Sequence, residues 1–292
     1  MLTMSLSRAV GKSKLGTDGW GLAARGITFV WPEKTVPVSV TGQACALNCQ
    51  HCNRHYLEHM LTWKDQIPAE TKSILLSGGS STRGFVDFEP YLNQIAVLKR
   101  KYRINAHLEC LGNLQIKQLK NLIDVVSFDF PVSERVIKEV YKLDKKKEDY
   151  IESYKLLVQH FPVELHLTCG LEFSKISGEI ESLQQLATLG VQQVVLNVFI
   201  PTIGTEMAKL HAPKLSDLQA VFKLARELFE KVALGCMRPA GKYREKLDLL
   251  ALELGFDIIV QPSRKVQEEA EKRNLKIGRF DECCALLLVN NF

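Results

Sequence analysis

Val36-Pro-Val-Ser-Val-Thr-Gly-Gln-Ala-Cys45-Ala-Leu-Asn-Cys49-Gln-His-Cys52 joins a short apolar run to three cysteines spaced C-x3-C-x2-C. The run at 36–40 stops at Gly42, as a buried strand does at its turn. Three thiolates so close together can hold a metal or an iron–sulfur cluster, and they cannot all pair with one another as disulfides. Zinc sites usually present C-x2-C pairs and four ligands. A [4Fe-4S] cluster on three cysteines leaves one iron without a protein ligand, so the motif reads as a binding site as well as a staple.

Outward from this stretch, short apolar runs alternate with amphipathic helical patterns. The runs lie at 36–40, 73–76, 104–111, 125–130, 163–168, 193–200, 232–236 and 256–260, each bounded by Gly, Pro, Asp or Asn, as buried parallel strands are. Helices are expected at 55–62, 88–101, 114–121, 133–139, 147–160, 180–189, 216–231, 242–254 and 263–273. Ser133 and Ser216 stand at expected helix starts, and Gly190 and Gly255 at expected stops. Eight β/α repeats predict a (β/α)8 TIM-type barrel, with an open sheet of fewer strands as the alternative. Residues 1–35 read as an N-terminal extension with a short strand at 27–31, residues 36–280 as the barrel, and 281–292 as a C-terminal tail. In either architecture the chemistry belongs at the strand C-terminal ends, where the cysteine motif sits.

A formal charge of +5 over 292 residues favours an acidic partner weakly and is too dispersed to argue for nucleic acid. No apolar run reaches membrane-spanning length, and the start of the chain does not read as a secretory signal. A cytoplasmic, reducing setting is therefore expected. There the eight cysteines (45, 49, 52, 110, 169, 236, 283 and 284) favour cluster chemistry over disulfides.

C-x3-C-x2-C directly after a first barrel strand resembles the radical S-adenosylmethionine (radical SAM) superfamily, whose fold is a full or partial β/α barrel. The resemblance implies Cys45, Cys49 and Cys52 as ligands of a [4Fe-4S] cluster, with SAM on the fourth iron. It places His51 where many members carry an aromatic residue. Ser77-Gly78-Gly79-Ser80, after the second run, resembles the glycine-rich segment that binds the methionine amino group; its glycines let backbone approach a ligand. By the same resemblance Ser77, Gly78, Gly79, Glu109, Glu172, Asn197 and Phe199 are cofactor contacts. Phe199-Ile-Pro-Thr-Ile-Gly-Thr205 resembles a P-x-x-G-T segment of biotin-synthase-like members, and Ile176-Ser-Gly-Glu179 their glycine-rich stretch near the adenosine.

A lone cysteine is usually a small apolar filler, but Cys283-Cys284 with Cys236 makes three further thiolates. Together with Gly235-Cys-Met-Arg-Pro239, this pattern resembles the biotin-synthase-like group that includes two-protein lipoyl synthases. It implies a second iron–sulfur cluster held by Cys236, Cys283 and Cys284. Arg238 beside it reads as a substrate carboxylate anchor, a further ligand or an ion-pair partner within the barrel. A competing trio is Cys110, Cys169 and Arg238, at the ends of strands three, five and seven. The implied reaction is sulfur insertion at an unactivated carbon of a protein-bound octanoyl chain. The implied partners are an octanoylated carrier protein, a sister radical SAM subunit and an electron donor such as ferredoxin, with no membrane and no nucleic acid. Two other readings stay open: another radical SAM enzyme (a small-molecule sulfur inserter, mutase or metallocofactor maturase) and a non-enzymatic metal-binding assembly protein.

Overall fold

The aliphatic runs and helical patterns fold into β/α units, described over residues 26–289 in a computed structural model. The strands are β1 Ile27–Val30, β2 Thr35–Ser39, β3 Ser73–Ser77, β4 Arg103–Leu108, β5 Val125–Asp129, β6 Val163–Cys169, β7 Gln193–Val198, β8 Lys231–Leu234, β9 Ile258–Val260 and β10 Ile277–Phe280. All run parallel in one sheet, ordered β10-β1-β9-β8-β7-β6-β5-β4-β3-β2. The sheet curls into a partial barrel. Its helices are α1 Leu92–Lys99, α2 Asn113–Leu119, α3 Lys147–Leu157, α4 Glu179–Thr188, α5 Leu215–Leu228, α6 Gly241–Glu253 and α7 Arg264–Lys272.

All eight strands read from the sequence are present, and β1 lies where a short strand was expected at 27–31. The β10 strand, Ile-Gly-Arg-Phe, escaped that reading because a glycine and an arginine interrupt its apolar pattern. Gly190 and Gly255 end α4 and α6 at φ of +79° and +74°, and Ser133 Oγ accepts the Val136 N–H as a cap should. Two expected helices differ. At 55–62 only one 3-10 turn forms, His55–Leu57. Its start is broken by the left-handed Asn53 and Arg54 (φ 44° and 68°). Leu61 then bridges to Val38 and satisfies the free edge of β2. At 133–139 the turn is a π-helix, Val136–Val140. The rest of the expected N-terminal extension, residues 1–25, and residues 290–292 of the expected tail lie outside the described residues.

Alternation along the strands separates two faces. Outward-facing Ile74, Leu76, Ile104, Ala106, Leu108, Val126, Phe128, Leu165, Leu167, Val194 and Leu196 belong to one continuous core under the helices. The inward face of β4 to β7 carries Asn105, His107, Ser127, Asp129, Glu164, His166 and Asn197 instead. Barrel interiors of this type are usually filled with branched aliphatic side chains, so a polar interior marks a working site. The side chains of His107 and Asp129 remain 36% and 43% accessible although protein surrounds them, because they face an open lumen.

The C-terminal segment enters the barrel from the N-terminal ends of the strands. Cys283 N donates to Thr35 Oγ1, Arg103 pairs with Glu282, and Lys72 pairs with Asp281. Ala285 and Leu286 pack on Val125, while Cys284 packs among Val30, Val195, Ala233, Ile258 and Val260. Contact with strands so far apart in the sheet order requires curvature. The tail closes the end of the barrel opposite the cysteine loop, because β10 sits beside β1 and the chain leaves it next to the first residue of β2.

Candidate functional site

The cysteine loop is built by β2 and docked on β3. Ser39 Oγ donates to Gly42 O at 2.6 Å, and Thr41 Oγ1 donates to Ala44 O at 2.9 Å while accepting Gly79 N–H at 2.7 Å. Ala46 N donates to Ser80 O. A Cβ on Gly79 would stand 1.9 Å from Ala44 O and 2.5 Å from Cys45 Cβ, so only glycine lets the two segments meet. Farther along, Gln50 N donates to Val140 O, Met207 N to Gln50 O, and Asn53 Nδ2 to Gly204 O. The loop thus rests on the segments after β5 and β7 and spans the barrel mouth.

The three thiols converge. Burial pushes the Cys49 thiol up to about 12, and neighbouring Cys52 and Cys45 charges push the same way. Burial also raises Cys52, against backbone N–H groups of Tyr56, Arg54 and His55 aimed at its sulfur. Three sulfurs that oppose one another's ionisation need a cation to become thiolates, and burial strengthens that demand. A cleft of about 470 Å³ beside them is lined by Thr41, Cys45, Arg54, Gly79, Ser80 and Asp87. The donor set and the glycine-lined approach fit a [4Fe-4S] cluster with a small polar ligand beside it.

Of the other expected cofactor contacts, Glu109 accepts Ser80 Oγ at 2.7 Å and Val86 N at 3.1 Å, which ties the glycine segment to β4. Burial raises its carboxyl. Ser77 and Gly78 continue β3 toward the cleft, and Gly78 packs on Val40 and Val86. Glu172 accepts Ser133 Oγ and faces Arg135. Asn197 faces the lumen with Oδ1 buried and unpaired, in space that Gly235 leaves open. Phe199 is buried, and its N–H is taken by Cys169 O. The Ile176–Glu179 stretch packs on Val132, with the Glu179 carboxylate accepting the N–H groups of Gly170, Ser177 and Gly178.

The second trio lies close enough for its charges to act on one another. Cys236 is exposed to the lumen although protein surrounds it, and that surrounding protein raises it, with the Cys283 charge raising it further. Cys283 is lowered, first by the Cys284 hydrogen bond and also by Ala285 N–H, His166 and the Asn105 amide, which lies 3.2 Å from its sulfur. Cys284 is raised by the same hydrogen bond and by burial. Around these thiols Glu164 Oε1, His166 Nε2 and Asn197 Oδ1 are buried without partners. Buried polar atoms without a protein partner are costly, and beside three thiols they fit a second cluster.

Cys110 and Cys169 do not join either trio. Cys110 lies beside Lys145 and Asp149, and Cys169 is fully buried in the outer core near Glu179. Arg238 is sealed against Asp248 at 2.9 Å, with Gly235 O and Gln261 O taking its other donors, so its guanidinium serves the wall of the barrel.

Several lumen residues went unread in the sequence. Asp129 accepts His107 Nε2 at 3.1 Å on one oxygen and faces His166 Nδ1 at 3.4 Å on the other. Burial alone would depress His107, yet Asp129 raises it to about 9. Burial would raise Asp129, but the two rings hold it well below the carboxylate range. Burial raises Tyr56, and the charges of Cys52, Asp129 and Cys236 push the same way, so it stands near both trios. Burial lowers His51 to about 4, against Asp129. The available signal was strict alternation in Arg-Ile-Asn-Ala-His-Leu and Val-Glu-Leu-His-Leu-Thr-Cys, where each polar residue faces the lumen.

No protein-family model matches the chain, and no curated protein matches it by sequence. Among solved structures the chain is similar to methylornithine synthase (PylB), at 13% identity and a TM-score of 0.59, over 87% of this chain and 84% of that one. An HMG-CoA lyase from Acinetobacter baumannii aligns at 11% identity and a TM-score of 0.47, over 90% and 88% of the two chains. The first likeness is one of fold. Among the described residues no helix is long and apolar enough to cross a membrane.

Proposed function

We propose that the chain is a radical SAM enzyme that inserts sulfur into an octanoyl chain carried on a protein, as one subunit of a two-protein lipoyl synthase. One observation carries this reading: two separate thiol trios border a single polar lumen, the first across the mouth and the second formed by Cys236, just past the end of β8, with Cys283 and Cys284 on the tail that enters from the base. The C-x3-C-x2-C motif, the Gly79 approach to it and the partial-barrel fold support the radical SAM part. The pairing of Cys236 with Cys283-Cys284 supports sulfur insertion.

When bound, the first cluster with SAM supplies the radical that opens a strong C–H bond, and the second supplies sulfur; no side-chain base could deprotonate such a carbon. The remaining tasks are the protein's own. Cys45, Cys49 and Cys52 would hold the first cluster, and Thr41, Gly79, Ser80 and Glu109 fix the wall beside it. Cys236, Cys283 and Cys284 would hold the second cluster deeper in the same passage, between the end of β8 and the C-terminal tail. A rigid sheet between the two holds donor and acceptor in line. The docked cysteine loop restricts water at the mouth, and the Cys284–Leu288 turn closes the base. The carrier protein, the sister subunit and the electron donor belong to this proposal.

Anaerobic iron and sulfide counting tests it, combined with mass spectrometry of an octanoyl-lysine peptide, with and without a sister subunit. About eight irons and a sulfur-bearing product are expected. Joint alanine substitution of Cys236, Cys283 and Cys284 should keep SAM cleavage, lose about half the iron and abolish sulfur transfer. About four irons in the wild-type protein would leave a radical SAM enzyme without sulfur insertion. A colourless protein would leave a zinc-type assembly protein.

A further inference from the structure

The second thiol trio offers three donors, and a four-iron cluster presents four metals. Four residues around it could supply the missing donor: Arg238, Asn197, Glu164 and His166. Arg238 is excluded by its commitments to Asp248, Gly235 O and Gln261 O. Asn197 offers a neutral amide oxygen and Glu164 a hard carboxyl, both poorly matched to iron in a sulfide cluster.

His166 differs from these in both position and chemistry. It sits on the inward face of β6, two residues beyond Glu164 and opposite Asp129 in the β5–β6 register. Its Nδ1 faces Asp129 Oδ1 at 3.4 Å, and its Nε2 is buried with no hydrogen-bond partner. Donation of the Nδ1 proton to Asp129 leaves the lone pair on Nε2. That is the arrangement in which a carboxylate orients a metal-binding imidazole. Asp129 cannot easily swing away, because its second oxygen is held by His107 Nε2 at 3.1 Å, and the two imidazole rings meet edge to face at 6.4 Å. Asn105, which donates to Cys283 Sγ at 3.2 Å, accepts from Ser127 Oγ at 3.1 Å two residues before Asp129 on β5, so the thiol lies beside the lumen layer that holds the His166 ring.

We propose that His166, through Nε2, is the fourth protein ligand of the cluster held by Cys236, Cys283 and Cys284, with Asp129 as its positioning residue. This rests on the second cluster of the function proposed above. One imidazole among three thiolates makes the site less anionic than four thiolates, which raises the cluster's reduction potential. It also leaves one iron with a neutral donor that can depart when the cluster is opened.

The test uses the full chain with Cys45, Cys49 and Cys52 replaced by alanine, reconstituted anaerobically so that only the second cluster forms. Pulsed electron paramagnetic resonance of the reduced protein should show strong coupling to a directly bound nitrogen. The coupling should change to the 15N pattern when histidine is ring-labelled, a readout that needs no variant of the site. His166→Ala should abolish it, and His166→Cys should restore four-ligand stability with a lowered midpoint potential. About four irons with no nitrogen coupling overturns the assignment and leaves the second cluster intact as a reading. A coupling that survives His166→Ala overturns it in favour of His107. Protein that binds no iron overturns the assignment together with the second cluster. Binding of about one metal ion per chain, lost with Asp129→Asn, overturns it in favour of a mononuclear site at His107, Asp129 and His166, whose donor atoms lie within 4.8 Å of one another.

Discussion

Gly79→Ala should empty the first cluster while leaving the fold standing. The added Cβ would lie 1.9 Å from Ala44 O and 2.5 Å from Cys45 Cβ, whereas real Cβ contacts do not fall below 3.0 Å, so the cysteine loop must withdraw by about 1.1 Å. Both obstacles are on or next to the loop backbone, and no side-chain rotation relieves them. Ligand distances tolerate about 0.2 Å, and misplacing a reacting group by ~1 Å costs ~100-fold in rate. Overpacking adds about 1–3 kcal/mol of instability, a fall of several degrees in Tm for a chain of this size. Anaerobic iron counts and visible absorbance should therefore show the first cluster less than half loaded. SAM cleavage should fall by about two orders of magnitude. Two controls separate geometry from stability. At Gly78 the nearest obstacles are side chains at 3.0 Å, which can give way, so Gly78→Ala should retain most of its iron. At Gly190 nothing lies within 4 Å and φ is +79°, so Gly190→Ala should cost stability and no iron. Full iron and unchanged cleavage in Gly79→Ala would refute the claim that this contact sets the loop.

Three further outcomes follow from the same structure. Arg238 and Asp248 are both fully buried. Asp248→Ala should cost about 3–5 kcal/mol in urea unfolding, and Arg238→Met with Asp248→Leu much less; a loss under about 1 kcal/mol for Asp248→Ala would return Arg238 to the substrate role. In cluster-free protein Asp129 keeps His107 protonated up to about pH 9, against an ordinary 6.5 and against burial. Its stabilisation is full below about pH 6.5 and is lost as pH rises through about 9. The Tm gap between wild type and Asp129→Asn should therefore shrink from pH 6 to pH 10, and a gap that does not change with pH would contradict this. Leu286 is fully buried in the C-terminal plug. Leu286→Ala removes about 2–5 kcal/mol locally, so alkylation of Cys283 and Cys284 in cluster-free protein should accelerate at least ~10-fold; an unchanged rate would mean the plug is not what shields them.

Local chemistry made much of this molecule legible without coordinates. Nine of the ten strands could be read, because burial on both sides of a parallel sheet demands short apolar runs. The first cysteine trio was equally plain, since its ligands are neighbours in sequence and a tight loop brings them together. Cys236 and Cys283-Cys284 were legible only as candidates, and the ion pair that Arg238 makes with Asp248 was one of three roles left open for it. The helix expected at 55–62 gave way to one turn, since the free edge of β2 claimed Leu61.

The sequence by itself determined the β/α rhythm, the sheet and the three-thiolate motif, each of which depends on residues within a few positions of one another. Tertiary structure decided the contents of the lumen. Alternating polar residues on β4, β5 and β6 become Asn105, Asp129 and His166 around one space only when the sheet curls. The C-terminal tail reaches that space from the far end only because β10 pairs with β1, so that the chain leaves it beside the start of β2. Strand pairing across some 250 residues is fixed by the packing of the whole sheet, which no local pattern encodes.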